Sequence, residues 1–325
     1  MRTKMMRVFG LLGVMAFFLT LNAAAQTKAD AAKLYNDGVA AFNAKNYPAA
    51  ITAFNQAIDV AAKVGDEAND VKDGVVKLLP ASYLQNAMTL YKDKKIAESV
   101  KEFNNAIEVG EKYNDQKVVS SAKNAVPQLY RILGNQEFGA NNLEKAKEYY
   151  NMGLKLTPDA TQNLLGLGLV YEKQAKADSA LVYFEKVIEV GTRTNKPEDV
   201  KNAKAQARDL FIDKAAAAEK AKKYEDAIEA YKSVFKYAPE SDAVYYKMAF
   251  DYYSLSKWDE AIENSNKALG LITKPEDKGK VYFMLGNIYS KKNDNANACA
   301  NYKLAAASPK YKAQAAAALK GLKCK

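Results

Sequence analysis

This sequence predicts an all-α fold made from a repeated helix pair, and three observations carry the prediction. Alanine is the commonest residue, 55 of 325, while 16 glycines and 8 prolines leave few positions for tight turns; that balance favours helices. Apolar side chains recur at helical spacing in runs separated by short polar turns. The runs also repeat one another: KNYPAAITAF at 45–54 is matched by KKYEDAIEAY at 222–231.

The chain opens on a segment that reads as a cleavable signal peptide, residues 1–25. Arg2, Lys4 and Arg7 form a positive start, and Val8–Leu21 is an uncharged, mostly apolar run, short for a membrane span. Ala23, Ala24 and Ala25 supply the small residues that place the cut between Ala25 and Gln26. No lipobox cysteine follows this run, and no later segment approaches the roughly 18 apolar residues that a span needs. The mature chain, 26–325, is therefore expected to be soluble and periplasmic or secreted, with no stable membrane insertion after cleavage. Losing three cations lowers the net charge from +10 to +7, basic but not polybasic. Export argues against nucleic acid as a partner. An anionic polysaccharide or an acidic protein surface suits the charge.

Seven units of equal length follow, near 31–64, 80–113, 127–160, 161–194, 208–241, 242–275 and 279–312. The eighth position of each is small: Gly38, Ala87, Gly134, Gly168, Ala215, Ala249 and Gly286. So is the twentieth: Ala50, Ser99, Ala146, Ala180, Ala227, Ala261 and Ala298. Two antiparallel helices approach closely where both side chains are small, so these two positions are expected to form the crossing point. The twenty-fourth position holds a ring in Phe54, Phe103, Tyr150, Phe184, Tyr231 and Tyr302, and fails only at Ser265. This pattern resembles the tetratricopeptide repeat, a pair of antiparallel helices recurring about every 34 residues. The resemblance covers Ala31–Lys312, and Pro158 and Pro239 fall at the thirty-second position, where proline ends the second helix. It implies a right-handed α-solenoid of about seven tetratricopeptide helix pairs.

Three steps between units are longer than the others, through extra residues at Gly65–Leu79, Asn114–Val126 and Asn195–Ala207. They read as a lengthened connection plus extra turns on the next first helix; the alternative is a short separate helix. A C-terminal capping helix at 311–323 is expected to cover the last pair through Ala313, Ala316, Ala317 and Leu319. Cys299 lies near the start of the last second helix and Cys324 near the end of the cap. Antiparallel packing brings them together, and an oxidising compartment would join them. Such a disulfide, closing about 26 residues, contributes roughly 3–4 kcal/mol in the chain-entropy account.

The absence of histidine excludes Ser-His-Asp and Cys-His nucleophile sites and His-ligated metals, and two cysteines cannot form a four-cysteine zinc site. Gly166-Leu167-Gly168 is a fragment of a dinucleotide motif with no strand before it. Acid pairs such as Glu225/Asp226 and Asp259/Glu260 sit at helix starts, where they favour the helix dipole. No catalytic, cofactor or metal site is expected, and the chain does not read as an enzyme.

In proteins that it resembles, the first helices line a concave groove that binds peptides or helices. Carried onto this sequence, the groove positions in the first three units include Tyr35 and Phe42, then Leu84, Met88 and Tyr91, then Arg131, Asn135 and Phe138. In the last two they include Tyr246, Phe250 and Tyr253, then Phe283 and Asn287. Tight stacking of repeats would instead bury many of these side chains. A carboxylate clamp of the kind some such domains carry is not expected. Arg131 and Asn135 suit it, but Gly166 stands where asparagine is needed, and Asp209 and Asp213 stand where cations are. The resulting expectation is an exported protein-interaction scaffold or adaptor, with apolar anchors and a lysine-rich rim. The alternative is a glycan- or cell-envelope-binding protein.

Overall fold

The computed structural model describes residues 27–324, so the signal-peptide reading lies outside the described residues. Among the described residues there are fifteen α-helices, two short 3₁₀ turns and no strand. The chain divides into two compact units, 27–125 and 126–324 in their described parts.

The first unit holds α1 (Lys28–Asn43), α2 (Tyr47–Val64), α3 (Asn69–Lys92), α4 (Ile96–Lys112) and the first turns of α5 (Gln116–Gly139). Thr27 starts α1 with a capping box: its hydroxyl accepts from the Asp30 N–H at 3.2 Å, and the Asp30 carboxylate accepts from the Thr27 N–H at 2.8 Å. Phe54, Ala57, Val60 and Ala61 of α2 form one core with Val71, Val75 and Leu79 of α3.

The second unit takes up the rest of α5 and continues with α6 (Leu143–Leu156), α7 (Thr161–Lys173), α8 (Ala177–Arg193) and α9 (Pro197–Lys220). It goes on through α10 (Tyr224–Val234), α11 (Asp242–Ser254), α12 (Trp258–Leu271), α13 (Gly279–Lys291) and α14 (Asn295–Ala306) to α15 (Lys312–Gly321). Odd and even helices pair in sequence as seven hairpins, α1–α2 to α13–α14, with α5 and α6 joined through Tyr150 against Gly134 and Asn135, and α15 packs on α14.

One turn closes all seven hairpins. Its fifteenth-position residue lies in the left-handed region, with φ between 57° and 63°, at Lys45, Lys94, Asn141, Ala175, Lys222, Ser256 and Asn293. The next N–H donates to the carbonyl five residues back, as from Asn46 to Ala41 and from Lys176 to Tyr171. Glycine is the usual residue for this closure, yet none of the seven is glycine. Ala175 has neither the freedom of glycine nor the local hydrogen bonding of asparagine. Ala175→Gly is therefore expected to raise stability by about 0.5–1 kcal/mol, read as a higher urea midpoint at unchanged slope.

The small eighth position accommodates a ring. A Cβ built on Gly38 would stand 2.7 Å from the Phe54 ring, one on Gly134 2.5 Å from Tyr150, and one on Gly286 2.5 Å from Tyr302. Gly168 meets Phe184 in the same way. The twentieth position also closes on the eighth, since the buried Ser99 hydroxyl donates to the Ala87 carbonyl at 2.8 Å. The crossing point therefore involves three positions, the ring being the third.

The extra residues lie almost wholly in helix. α3, α5 and α9 are each 24 residues long, against 13 in α7, α11 and α13. They begin at Asn69, Gln116 and Pro197, well before the unit starts expected at Pro80, Pro127 and Arg208. Pro80 and Pro127 therefore lie inside continuous helices rather than at helix starts. The connections are tight: Gly65 at φ 89° and a 3₁₀ turn before α3, and left-handed Asn114 and Asn195 before α5 and α9. Gly110 and Gly191 leave room for the extensions, because a Cβ there would come within 2.8 Å of Val119 and 2.7 Å of Val200.

α15 covers the last hairpin with a different face from the one expected. Ala315 is its buried residue, with Ala318, Leu319 and Leu322 partly buried beside it; Ala313, Ala316 and Ala317 are exposed. Docking of the Tyr311 ring against Phe283, centroids 5.8 Å apart, sets the phase of the helix just before it begins. Cys324 follows α15 and is disulfide-bonded to Cys299 of α14, with Cα atoms 5.7 Å apart.

Candidate binding face

The odd-numbered helices carry the residues singled out for binding, and their surroundings differ. In the first unit, Tyr35 is half-buried, its ring 5.9 Å from Phe54 and close against Gly74 of the α3 extension. Phe42 packs edge-on to Tyr47 at 5.6 Å, and Leu84 is half-buried. Met88 and Tyr91, one helical turn apart on α3, are exposed at 41% and 47%.

In the second unit, two of the candidates serve their own hairpins. Asn135 accepts a hydrogen bond from the Tyr150 hydroxyl at 2.7 Å, and Asn287 accepts one from Tyr302 at 2.8 Å. Each links the ninth position to the ring of the twenty-fourth. Arg131 is half-buried near Tyr150. Phe138 lies under the Lys173 ammonium, 4.8 Å from ring centroid to nitrogen. Phe283 is held between Tyr302 and Tyr311. On α11, Tyr246 is half-buried beneath Lys280, Tyr253 tilts against Trp258 at 5.4 Å, and Phe250 is exposed at 40%.

Acidic side chains also stand on the first helices of this unit. Burial, then the charges of Asp213 and Asp209, hold the Glu172 carboxyl above its usual range. Glu219 accepts from the Tyr231 hydroxyl at 2.9 Å and from Lys247 at 2.8 Å. Asp209 is gripped by the neighbouring Arg208 at 2.7–2.8 Å. Glu172 of α7 therefore faces the carboxylates of Asp209 and Asp213 on α9, while Lys173 of α7, Lys247 of α11 and Lys280 of α13 stand at other points of the first helices.

Sequence reasoning missed Asp251. It is fully buried on α11, neither carboxylate oxygen has a hydrogen-bond partner, and burial with nearby Glu219 pushes its pKa up to about 7. The only signal was comparative: Val170 and Ile288 hold the equivalent place in α7 and α13, and both are buried. Among the described residues, no cluster of three or more histidine, cysteine or acidic residues is arranged to hold a metal ion, and no helix is long and apolar enough to cross a membrane.

Seven hairpins, each closed by the same left-handed turn, define an α-helical repeat protein with broad helix faces available to other molecules. Residues 162–190 and 279–308, which fall on α7–α8 and α13–α14, each match the tetratricopeptide repeat. With the same turn in every other hairpin, the chain is a tetratricopeptide-repeat protein. Solved structures similar to it include a tetratricopeptide repeat protein from Parabacteroides merdae, 16% identical over 90% of this chain and 98% of that one, TM-score 0.29. MamA from Desulfovibrio magneticus is 21% identical over 55% and 91%, TM-score 0.32. YrrB, described as a tetratricopeptide-repeat protein with an unusual peptide-binding site, is 18% identical over 63% and 97%, TM-score 0.36. Superpositions this loose leave the hairpins themselves to carry the assignment. No curated protein matches the chain.

Proposed function

We propose that this protein is an exported scaffold whose first-helix faces bind a peptide or helix from a partner protein. Tetratricopeptide repeats are protein-interaction modules in general, and one observation supports this face in particular. Three of the large apolar side chains left exposed, Met88 and Tyr91 on α3 and Phe250 on α11, occupy positions carried over from the family's groove. Half-buried Leu84 stands beside the first two, and Tyr246 and Tyr253 beside the third. Apolar groups grouped on an exposed helix face are the usual anchors for a partner helix. The carboxylates around Glu172 favour a partner segment with basic side chains.

Export is part of the proposal. It rests on the pattern of residues 1–25, and the Cys299–Cys324 disulfide suits an oxidising compartment. Mass spectrometry of the protein recovered from its native cell should give a mature chain beginning at Gln26; a chain retaining Met1–Ala25 would refute that part. A photoreactive residue placed at Met88 or Tyr91 in the first unit, or at Phe250 in the second, is expected in living cells to capture a protein partner. One at exposed Val182, on the second helix α8, is expected to capture none. Adducts only with glycan would instead support an envelope-binding role.

A further inference from the structure

A second feature of the second unit lies away from the first-helix faces. A cleft of about 580 Å³ opens between the end of α8, the extension of α9 and the turn after α10. Its origin is local. α9 starts early, at Pro197, while α10, at 11 residues, is the shortest second helix and stops at Val234. The irregular turn that follows brings Tyr237, Ala238 and Pro239 to the cleft wall.

The floor is apolar and held in place. Val200, Ala205, Ala238 and Pro239 line it with Tyr237. The Tyr237 ring stacks on Phe211 with centroids 5.9 Å apart, and its hydroxyl donates to Glu185 at 2.6 Å. The charged lining is all of one sign: Lys196, Lys201, Lys204 and Arg208, with no carboxylate among the lining residues. Lys201, Lys204 and Arg208 are spaced three and four residues apart, so they share one face of α9 over about 10 Å at 1.5 Å per residue. Arg208 is paired with Asp209 at 2.7 Å, and two other nearby acids are engaged elsewhere. Asp199 accepts from Thr161 at 2.5 Å and from Gln162, and Glu185 is held by Lys236 and Tyr237. Glu198 reaches Lys201 only at 3.9 Å. Lys196 and Lys204 are exposed, and neither has an ion-pair partner among the described residues.

We propose that this cleft docks an acidic peptide segment of a partner protein, with one apolar side chain on the floor and flanking carboxylates on the cations of α9. The volume admits a few residues, and cations on one helix face match carboxylates spaced along a peptide. A glycan fits less well, because the floor of Val200, Ala205, Ala238 and Pro239 is apolar, the Tyr237 hydroxyl is taken by Glu185, and Thr192 and Asn195 are the uncharged polar side chains left in the lining. Apart from Arg208, which pairs with Asp209, its lining residues are not among those of the candidate binding face.

The test uses the full mature chain and a fluorescein-labelled peptide, EELEE, read by anisotropy at low salt. Binding is expected to weaken at least tenfold in the Lys201→Glu/Lys204→Glu protein. It is also expected to weaken several-fold for EEGEE, which lacks the apolar side chain, and to fall as salt rises. The matching charge change in the other unit, Lys77→Glu/Lys101→Glu, is expected to leave binding within twofold, since those exposed lysines are remote in sequence from the cleft. All four lysines are exposed, and unchanged circular dichroism confirms folding. Absence of EELEE binding, or equal loss in both double variants, overturns the proposal. So does co-sedimentation with phosphatidylglycerol vesicles that the Lys201/Lys204 reversal abolishes while peptide binding is unaffected, which would assign the cleft to a membrane surface.

Discussion

Asp251→Asn is expected to stabilise the protein by about 4 kcal/mol at pH 8 and to change it little at pH 4. Asp251 is fully buried, without a hydrogen-bond partner on either oxygen, and its pKa is pushed from 3.8 up to about 7. Burial is the larger cause and the charge of Glu219 the second, with Lys247 opposing them. A carboxyl whose folded pKa is raised binds its proton more tightly in the native state than in the unfolded chain. Stability is then greatest below the unfolded value, declines between about pH 4 and pH 7, and levels off above. Each pH unit between the unfolded and folded values corresponds to about 1.4 kcal/mol. Asparagine has the same shape and does not titrate. Every other group is common to the two proteins, so the difference between their stability–pH curves isolates Asp251. Urea unfolding of both at pH 4, 6 and 8 measures it. Parallel curves would show that Asp251 titrates in the folded protein as it does in water.

Phe184→Ala should cost about 3–5 kcal/mol, the range for removing a buried ring. Phe184 is fully buried on α8 and lies over Gly168 of α7, with Ala180, Val187 and Leu164 around it. Gly168→Ala is destabilising alone, because the new methyl meets that ring in a packed core. With Phe184→Ala in place the methyl enters the space vacated, so the double variant is expected to lose less than the sum of the singles. The sixth hairpin supplies the contrast. Ser265 takes the place of the ring there, with its hydroxyl buried and unpaired. Ser265→Ala is therefore expected to gain about 1 kcal/mol by removing an unsatisfied polar atom. Additive losses for Gly168 and Phe184, or a loss at Ser265 equal to that at Phe184, would contradict this account of the crossing.

The hairpins were legible because their signals are local and recur. A small residue at the eighth position and a ring at the twenty-fourth leave a pattern in residue type at fixed spacing. The left-handed turns left no such pattern: lysine, asparagine, alanine and serine all serve at the fifteenth position, where glycine would have announced the conformation. The extra residues were seen, but whether they formed loop or helix depended on tertiary packing. Pro80 and Pro127 are the first residues of aligned units, and the extra residues before them read as a lengthened connection plus extra turns on the next first helix. Both prolines lie inside helices whose extensions bury Val71, Val75 and Leu79 in one case and Val118, Val119 and Ala122 in the other. In the candidate face, the family positions indicated which residues to examine but not their exposure. Asn135 and Asn287 accept from ring hydroxyls because the twenty-fourth position is tyrosine in both hairpins. Asp251 was legible only by comparison with Val170 and Ile288 at the same place in other units, because one acid in a helix carries no mark of burial by itself.

The length of the three extensions has a rotational consequence. About eleven added residues at 3.6 per turn make just over three whole turns, a residual rotation of about 20° and an advance of about 16 Å. An insertion of that size lengthens a helix while returning every later side chain to nearly its original azimuth. Val71 and Ser82 of α3 accordingly stand above one another and are both buried, and Ala207 of α9 is buried below a partly buried Ala218. Excising about three whole turns from α9 would preserve the direction in which the rest of the helix faces, whereas excising about two and a half would turn it by roughly half a revolution. The partner helix α10 would still find its groove in the one case and meet a charged surface in the other.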